Sequence, residues 1–334
     1  MCVWGAHRSH LGRSGESVFR SYPCQIPLQT GNCRVVSYWG ELAALGTASC
    51  WALASLVFTR AGRQIGAFNL NKLRIPIAAF CLSGALLLTG GGHDIARLAG
   101  GDAAWLALSG VIGLVLGDTC YFRALVILGP RRATLLMSSA PVMTALLALV
   151  FLDEHLGWVA WLGIAITLAG IAWVTAERDF HSDNSPHGSK ALGVLLGLGG
   201  AAGQAIGLVI AKRVLVGSDI APLAATLVRM IAATIAIWSY ALALGQVRST
   251  LGLLRQASVR WVVVAGAMLG PFIGVWLSLV SVKHIEAGVA GTIMAIAPVL
   301  VLPLVVLVFR ERVTPRAVLG AIVAVGGVAM LFLR

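Results

Sequence analysis

Charge is what this sequence has least of. Asp and Glu together number 13 in 334 residues, and all charged types make up 11%, against about 25% in a soluble globular domain. With 58% hydrophobic residues and a mean hydropathy of +0.90, that scarcity excludes a water-soluble protein. The six cysteines form no CxxC pair, and Cys50, Cys81 and Cys120 fall within apolar runs. Small packing residues fit that pattern; a disulfide framework or a thiolate metal site does not. No GxxxxGK[ST] loop is present to cradle nucleotide phosphates, which excludes an ATP-driven pump. GLGGAA at 197–202 satisfies GxGxxA, but it lies inside an apolar run with no strand before it, so the dinucleotide reading fails. The seven histidines sit in the N-terminal tail, in loops or at the ends of apolar runs. They leave no buried base for an intramembrane enzyme, the main rival class beside a non-transporting membrane subunit. No cofactor and no metal are expected. The net charge of +12 resides in Lys and Arg between apolar runs, where it acts as an orientation signal, so no nucleic-acid partner is expected.

What is abundant is apolar sequence. A helix needs about 20 mostly apolar residues to cross the hydrocarbon core. Ten stretches qualify as spans: 41–60, 73–90, 103–125, 133–152, 157–176, 191–211, 222–245, 261–282, 287–309 and 318–333. The expected fold is an all-α, multi-pass integral membrane protein of ten transmembrane helices. Residues 1–37 read as a polar, disordered tail, and 177–190 as a polar linker rich in turn formers that divides five spans from five.

The two halves are copies. MSSAPVMTALLALVFLDE at 137–154 is echoed by MAIAPVLVLPLVVLVFRE at 294–311. A 157-residue shift lays 113–174 on 270–331 without a gap, matching Gly113 with Gly270, Gly117 with Gly274, Pro141 with Pro298, Glu154 with Glu311 and Gly170 with Gly327. A looser match places ASCWALASLVFTR (48–60) on AAGQAIGLVIAKR (201–213), and a two-residue slip then aligns Arg74 with Arg229. A repeat of five crossings, an odd number, inserts its second copy upside down relative to the first. Such inverted pairs commonly house a substrate site at the midplane between them. The domains are therefore read as repeats at 38–176 and 191–334.

Each unit carries a small-residue third span, an Ala-Pro-Val fourth span ending in Glu and a Gly-bearing fifth. In this the chain resembles the EamA family of the drug/metabolite transporter superfamily, most strongly in SAPVMTALLALVFLDEHLGWVAWLGIAITLAGI and IAPVLVLPLVVLVFRERVTPRAVLGAIVAVGGV. The resemblance implies secondary transport, by export, of a small metabolite or drug-like molecule. It also implies a central cavity lined by spans one to four and six to nine, peripheral spans five and ten, residence in the cell (inner) membrane, and both termini inside. The charge count opposes that last point. Loops after odd-numbered spans, taken with adjoining span ends, hold fifteen Lys and Arg residues against four in the alternate loops, which places both termini outside.

Candidate site residues are the polar and aromatic groups within spans. Asp118 is the one carboxylate well inside a span, where an ionised group costs roughly 2.5 to 3.5 kcal/mol on insertion scales. It reads as a proton-coupling site, as an anchor for a cationic substrate, or as the partner of Arg74, which lies within about 7 Å of it in depth. Arg229 reads as a binder of an anionic substrate group or as a snorkelling cation. Trp51 and Gln204, at equivalent positions of the first and sixth spans, and Trp276 in the eighth read either as cavity lining or as packing. Ser138, Ser139 and Thr292 precede Pro141 and Pro298, the helix-hinge candidates, whose released carbonyls serve a ligand or are satisfied by those hydroxyls. Glu154 and Glu311 read as interfacial carboxylates near helix N-termini. The expected partners are a small-molecule substrate and the lipid bilayer, with protons as one candidate coupling ion.

Overall fold

The computed structural model describes residues 38–128, 133, 136–176, 189–218, 220–297, 299–300 and 314–333. The tail 1–37, most of the linker, and with them Pro298 and Glu311, lie outside the described residues.

The described residues form helices and no strand, as expected where every backbone polar group must be satisfied without water. In chain order these are α1 (Trp39–Ile65), α2 (Ala67–Leu88), α3 (Gly92–Arg97), α4 (Gly100–Gly110), α5 (Asp118–Leu128), α6 (Ala140–Leu152), α7 (Trp158–Ala176), α8 (Lys190–Gly217), α9 (Pro222–Ala243), α10 (Val247–Gly252), α11 (Ala257–Ala267), α12 (Val275–His284), α13 (Ala287–Met294) and α14 (Pro315–Phe332). A π-helical segment, Val111–Gly117, joins α4 to α5, and a second, Met268–Gly274, joins α11 to α12. Five helical stretches are long and apolar enough to cross a membrane: Phe68–Leu88, Gly100–Ala124, Lys190–Gly217, Pro222–Ala243 and Ala257–His284. Their outer faces carry Phe80, Leu87 and Leu88, each at least 79% exposed, a surface suited to acyl chains and not to water. Exposed Trp39 and Trp158 open α1 and α7, where indoles settle at the membrane interface.

The duplication is visible element by element. A 155-residue shift carries α2 onto α9 and α3 onto α10, end for end, and a 157-residue shift carries α4 onto α11 and one π segment onto the other. The turns after α2 and α9 both place a glycine in the left-handed region, Gly90 at φ +69° and Gly245 at φ +65°. The fourth span breaks at Ser138 and Ser139 before α6 begins; the ninth breaks at Ala295 and Ile296, the same positions under the 157-residue shift. Pro141 falls in the first turn of α6, where its missing N–H costs nothing. The expected continuous helix over 133–152 is therefore two segments, and the proline starts the second instead of bending one.

Two further expectations are corrected. The second span begins at Ala67, six residues before the hydropathy boundary, so Lys72 joins Arg74 within the helix, and both are buried. Lys72 is 1% exposed, donates to Gln246 Oε1 at 2.9 Å and lies 5.0 Å from the Phe68 ring centroid. Arg60 and Arg63 likewise belong to α1. Arg63 and Lys72 were counted as loop charges and Arg60 and Arg74 as span ends; the four opposing residues are helical too, Arg97 in α3, Lys212 and Arg213 in α8 and Lys283 in α12, so helicity leaves the direction of the asymmetry unchanged.

The packing is close because small residues line it. α7 and α14 pair along their lengths: a Cβ on Gly170 would lie 2.4 Å from the Ala324 backbone N, and one on Gly327 would lie 2.4 Å from Thr167 Oγ1. The rest of the bundle places α4, its π segment and α5 against α8, and α1 against α11 to α13.

Candidate functional site

Asp118 is the first residue of α5, directly after a π segment, and is 7% exposed. A π segment inserts an extra residue per turn and resets which face the following side chains occupy. Both carboxylate oxygens are engaged: Oδ2 pairs with Arg74 Nη2, and Oδ1 accepts from Gln204 Nε2 at 2.7 Å. The pairing with Arg74 is the one the depth argument expected. In this conformation it supports the ion-pair reading over an open anchor for a cationic substrate.

Arg74 has partners beyond the carboxylate. Nε donates to Asn71 Oδ1 at 2.8 Å, and the guanidinium carbon lies 5.0 Å from the Phe58 ring centroid and 5.2 Å from that of Phe122. Asn71 in turn donates through Nδ2 to Leu114 O in the π segment, at 3.2 Å. Asn71, Phe58 and Phe122 were not among the residues expected at the site. Their signals were present: Asn71 sits three residues before Arg74, and Phe122 four after Asp118, the spacings that share a helix face.

Arg229 is 3% exposed in α9. Its Nε and Nη1 have no hydrogen-bond partner among the described residues. Its Nη2 would lie 3.5 Å from a Cβ on Gly113, and its backbone O 2.3 Å from one on Gly110.

The two members of the Trp51/Gln204 pair behave differently. Gln204 reaches Asp118, because α8 meets the α4–α5 helix glycine to glycine: a Cβ on Gly203 would be 2.8 Å from Gly117 Cα, and one on Gly207 would be 3.0 Å from Gly113 Cα. Ser109 Oγ donates to Gly207 O at 2.5 Å along the same seam. On the equivalent seam the glycines face aromatics. Trp51 Nε1 would be 2.6 Å from a Cβ on Gly274, and Phe58 Cζ 2.8 Å from one on Gly270. Trp51 and Trp276 are half-buried and pack against the main apolar core.

The hydroxyls at the helix breaks satisfy local carbonyls. Ser139 Oγ donates to Leu136 O at 2.7 Å, and Thr292 Oγ1 to Gly288 O at 2.8 Å; Ser138 is half-buried beside Ser139.

Glu154 does more than its interfacial reading. It pairs with Lys212 of α8, and its Oε2 accepts the N–H of Ala287, the first residue of α13, at 2.8 Å. The helix it caps belongs to the other repeat, not to the adjacent α7. Lys212 also donates to Ile285 O at 2.5 Å. An open recess of about 440 Å³ borders this contact, with Val150, Phe151, Arg213 and Val216 in its wall, and contains none of the candidate residues. Glu154→Gln keeps the acceptor but strands a buried ammonium, so it is expected to destabilise the protein by about 3 kcal/mol. In detergent unfolding, the double variant Glu154→Gln/Lys212→Met should recover part of that loss.

Comparison with known proteins agrees with this architecture. The profile of the EamA-like transporter family matches residues 38–176 and again 191–333. An "Uncharacterized transporter in cobO 3'region" from Sinorhizobium sp is 30% identical over 136 residues, which is 40% of this chain and 91% of that protein. A solved chain described as "Crystal structure of protein" superposes with a TM-score of 0.70 at 20% identity, over 87% of this chain and 95% of its own, and shares the fold.

Proposed function

Because the chain belongs to the EamA-like transporter family, we propose that it exports a small organic metabolite or drug-like molecule across the inner membrane by alternating access. It is a multi-pass membrane transporter, and in this reading ten spans form two repeats of opposite orientation that move the molecule outward. The observation that carries it is the Arg74–Asp118–Gln204 cluster together with Arg229. Two of these residues come from each repeat, and Asp118 directly follows the π segment Val111–Gly117, whose equivalent in the second repeat is Met268–Gly274. Buried ionisable groups within membrane helices mark substrate or ion pathways, and a site shared between repeats is where rocking of one against the other changes access. The breaks before Pro141 and Pro298 supply hinge positions. Proton coupling, in this reading, requires the Arg74–Asp118 pair to open.

Purified protein in liposomes is expected to catalyse substrate flux without another protein. Asp118→Asn should reduce that flux at least about 10-fold and remove its dependence on a pH gradient. Chemical conversion without net movement would support the enzyme reading, and a pH dependence unchanged in Asp118→Asn would remove the coupling role.

A further inference from the structure

Arg74 and Arg229 are equivalent residues of the two repeats, on helices that coincide end for end under one shift. Each guanidinium lies against an equivalent glycine: Arg74 Nη1 would be 4.0 Å from a Cβ on Gly270, and Arg229 Nη2 3.5 Å from one on Gly113. Their surroundings differ in a consistent way. Arg74 has a carboxylate from Asp118, an acceptor from Asn71 and two ring faces from Phe58 and Phe122. The shifts that overlay the repeats put Val275 where Asp118 stands, Ala211 for Phe58 and Leu279 for Phe122. Thr226 replaces Asn71, and its hydroxyl is turned to Pro222 O at 2.7 Å. The four replacements supply no carboxylate, no amide and no ring face to the second guanidinium. α9 still packs on α12, which carries Val275, as α2 packs on α5, which carries Asp118. The consequence is visible in Arg229, whose Nε and Nη1 are buried with no hydrogen-bond partner among the described residues.

A buried guanidinium lacking an acceptor is costly, and the cost is removed by an anion that arrives with a ligand. We propose that Arg229 is the anion-binding residue of the transport site, and that the ligand supplies the carboxylate which the second repeat lacks at Val275. This deepens the transport reading and rests on it for the word substrate. The group by which the first repeat exceeds the second is one carboxylate, Asp118 against Val275, so the class is a small organic monocarboxylic acid bound as its anion.

The test uses the full chain in detergent, with benzoate, phenylacetate and hexanoate as probes, each beside its own amide. At least one acid should raise the melting temperature saturably while its amide does not. Arg229→Gln should weaken that binding by about 10-fold or more, and Arg229→Lys by less. Val275→Asp should restore the internal pair, melt higher than Val275→Asn and lose the acid-dependent shift. Equal effects of acid and amide, an undiminished shift in Arg229→Gln, no shift with any acid, or Val275→Asp melting below Val275→Asn or failing to fold would overturn the proposal. Acid binding without flux in liposomes would instead remove the transport reading and leave the anion site standing.

Discussion

Asp118→Ala is expected to abolish transport and to lower stability by about 3 to 5 kcal/mol, the usual consequence of removing one member of a buried ion pair. The carboxylate holds two helices at once, Arg74 of α2 and Gln204 of α8. Its loss leaves a guanidinium between two rings with an acceptor at Nε alone. The double variant Arg74→Met/Asp118→Leu separates the two effects. It should recover most of the stability, because neither member of the pair is left without the other, and none of the flux. Unfolding in detergent and flux in liposomes, measured on the same preparations, check both halves; a double variant as unstable as the single one would count against the ion pair as the cause.

Gly203→Ala is the second large effect, at about 2 to 3 kcal/mol of destabilisation, with Gly203→Leu expected to prevent folding. The added Cβ would lie 2.8 Å from Gly117 Cα, a backbone atom that no rotamer change can move. Four residues earlier, a Cβ on Gly199 would meet only the Cys120 side chain, at 3.8 and 3.9 Å. Gly199→Ala should therefore be neutral or stabilise by up to about 1 kcal/mol through helix propensity. Melting temperatures of the two alanine variants, compared under one condition, check the contrast.

Gly199, Gly203 and Gly207 show how far the sequence could be read. Their spacing of four predicts close helix contact, but not that Gly203 and Gly207 meet Gly117 and Gly113 while Gly199 does not. That depends on the rotation of α8 about its axis, which tertiary packing decides. The repeat itself was legible because proline, glycine and glutamate keep their spacing across the duplication. The π segments were not: VIGLVLG contains nothing that distinguishes five-residue from four-residue hydrogen bonding, and Pro271 in MLGPFIG marks a gap in the i→i−4 ladder without fixing its form. Hydropathy placed the start of the second span after Lys72 because that residue is charged, and it could not register that Gln246 waits to receive it. Glu154 was correctly tied to a helix N-terminus, yet the helix was the wrong one, because the capped residue Ala287 is 133 positions away. Depth put Arg74 within reach of Asp118 and made their pairing one of the readings of that carboxylate. The unpartnered state of Arg229 did not, because it shows only when the surroundings of the two arginines are compared.

The account stands on two repeats that enter the membrane in opposite senses. His93 in α3 and Arg248 in α10 are equivalent under the 155-residue shift, and both are exposed. In a background without the six native cysteines, His93→Cys and Arg248→Cys would each carry one thiol, for labelling with a membrane-impermeant maleimide in intact cells and in inverted vesicles. The account predicts that one reacts only from outside and the other only from inside. Labelling of both from the same side would contradict it.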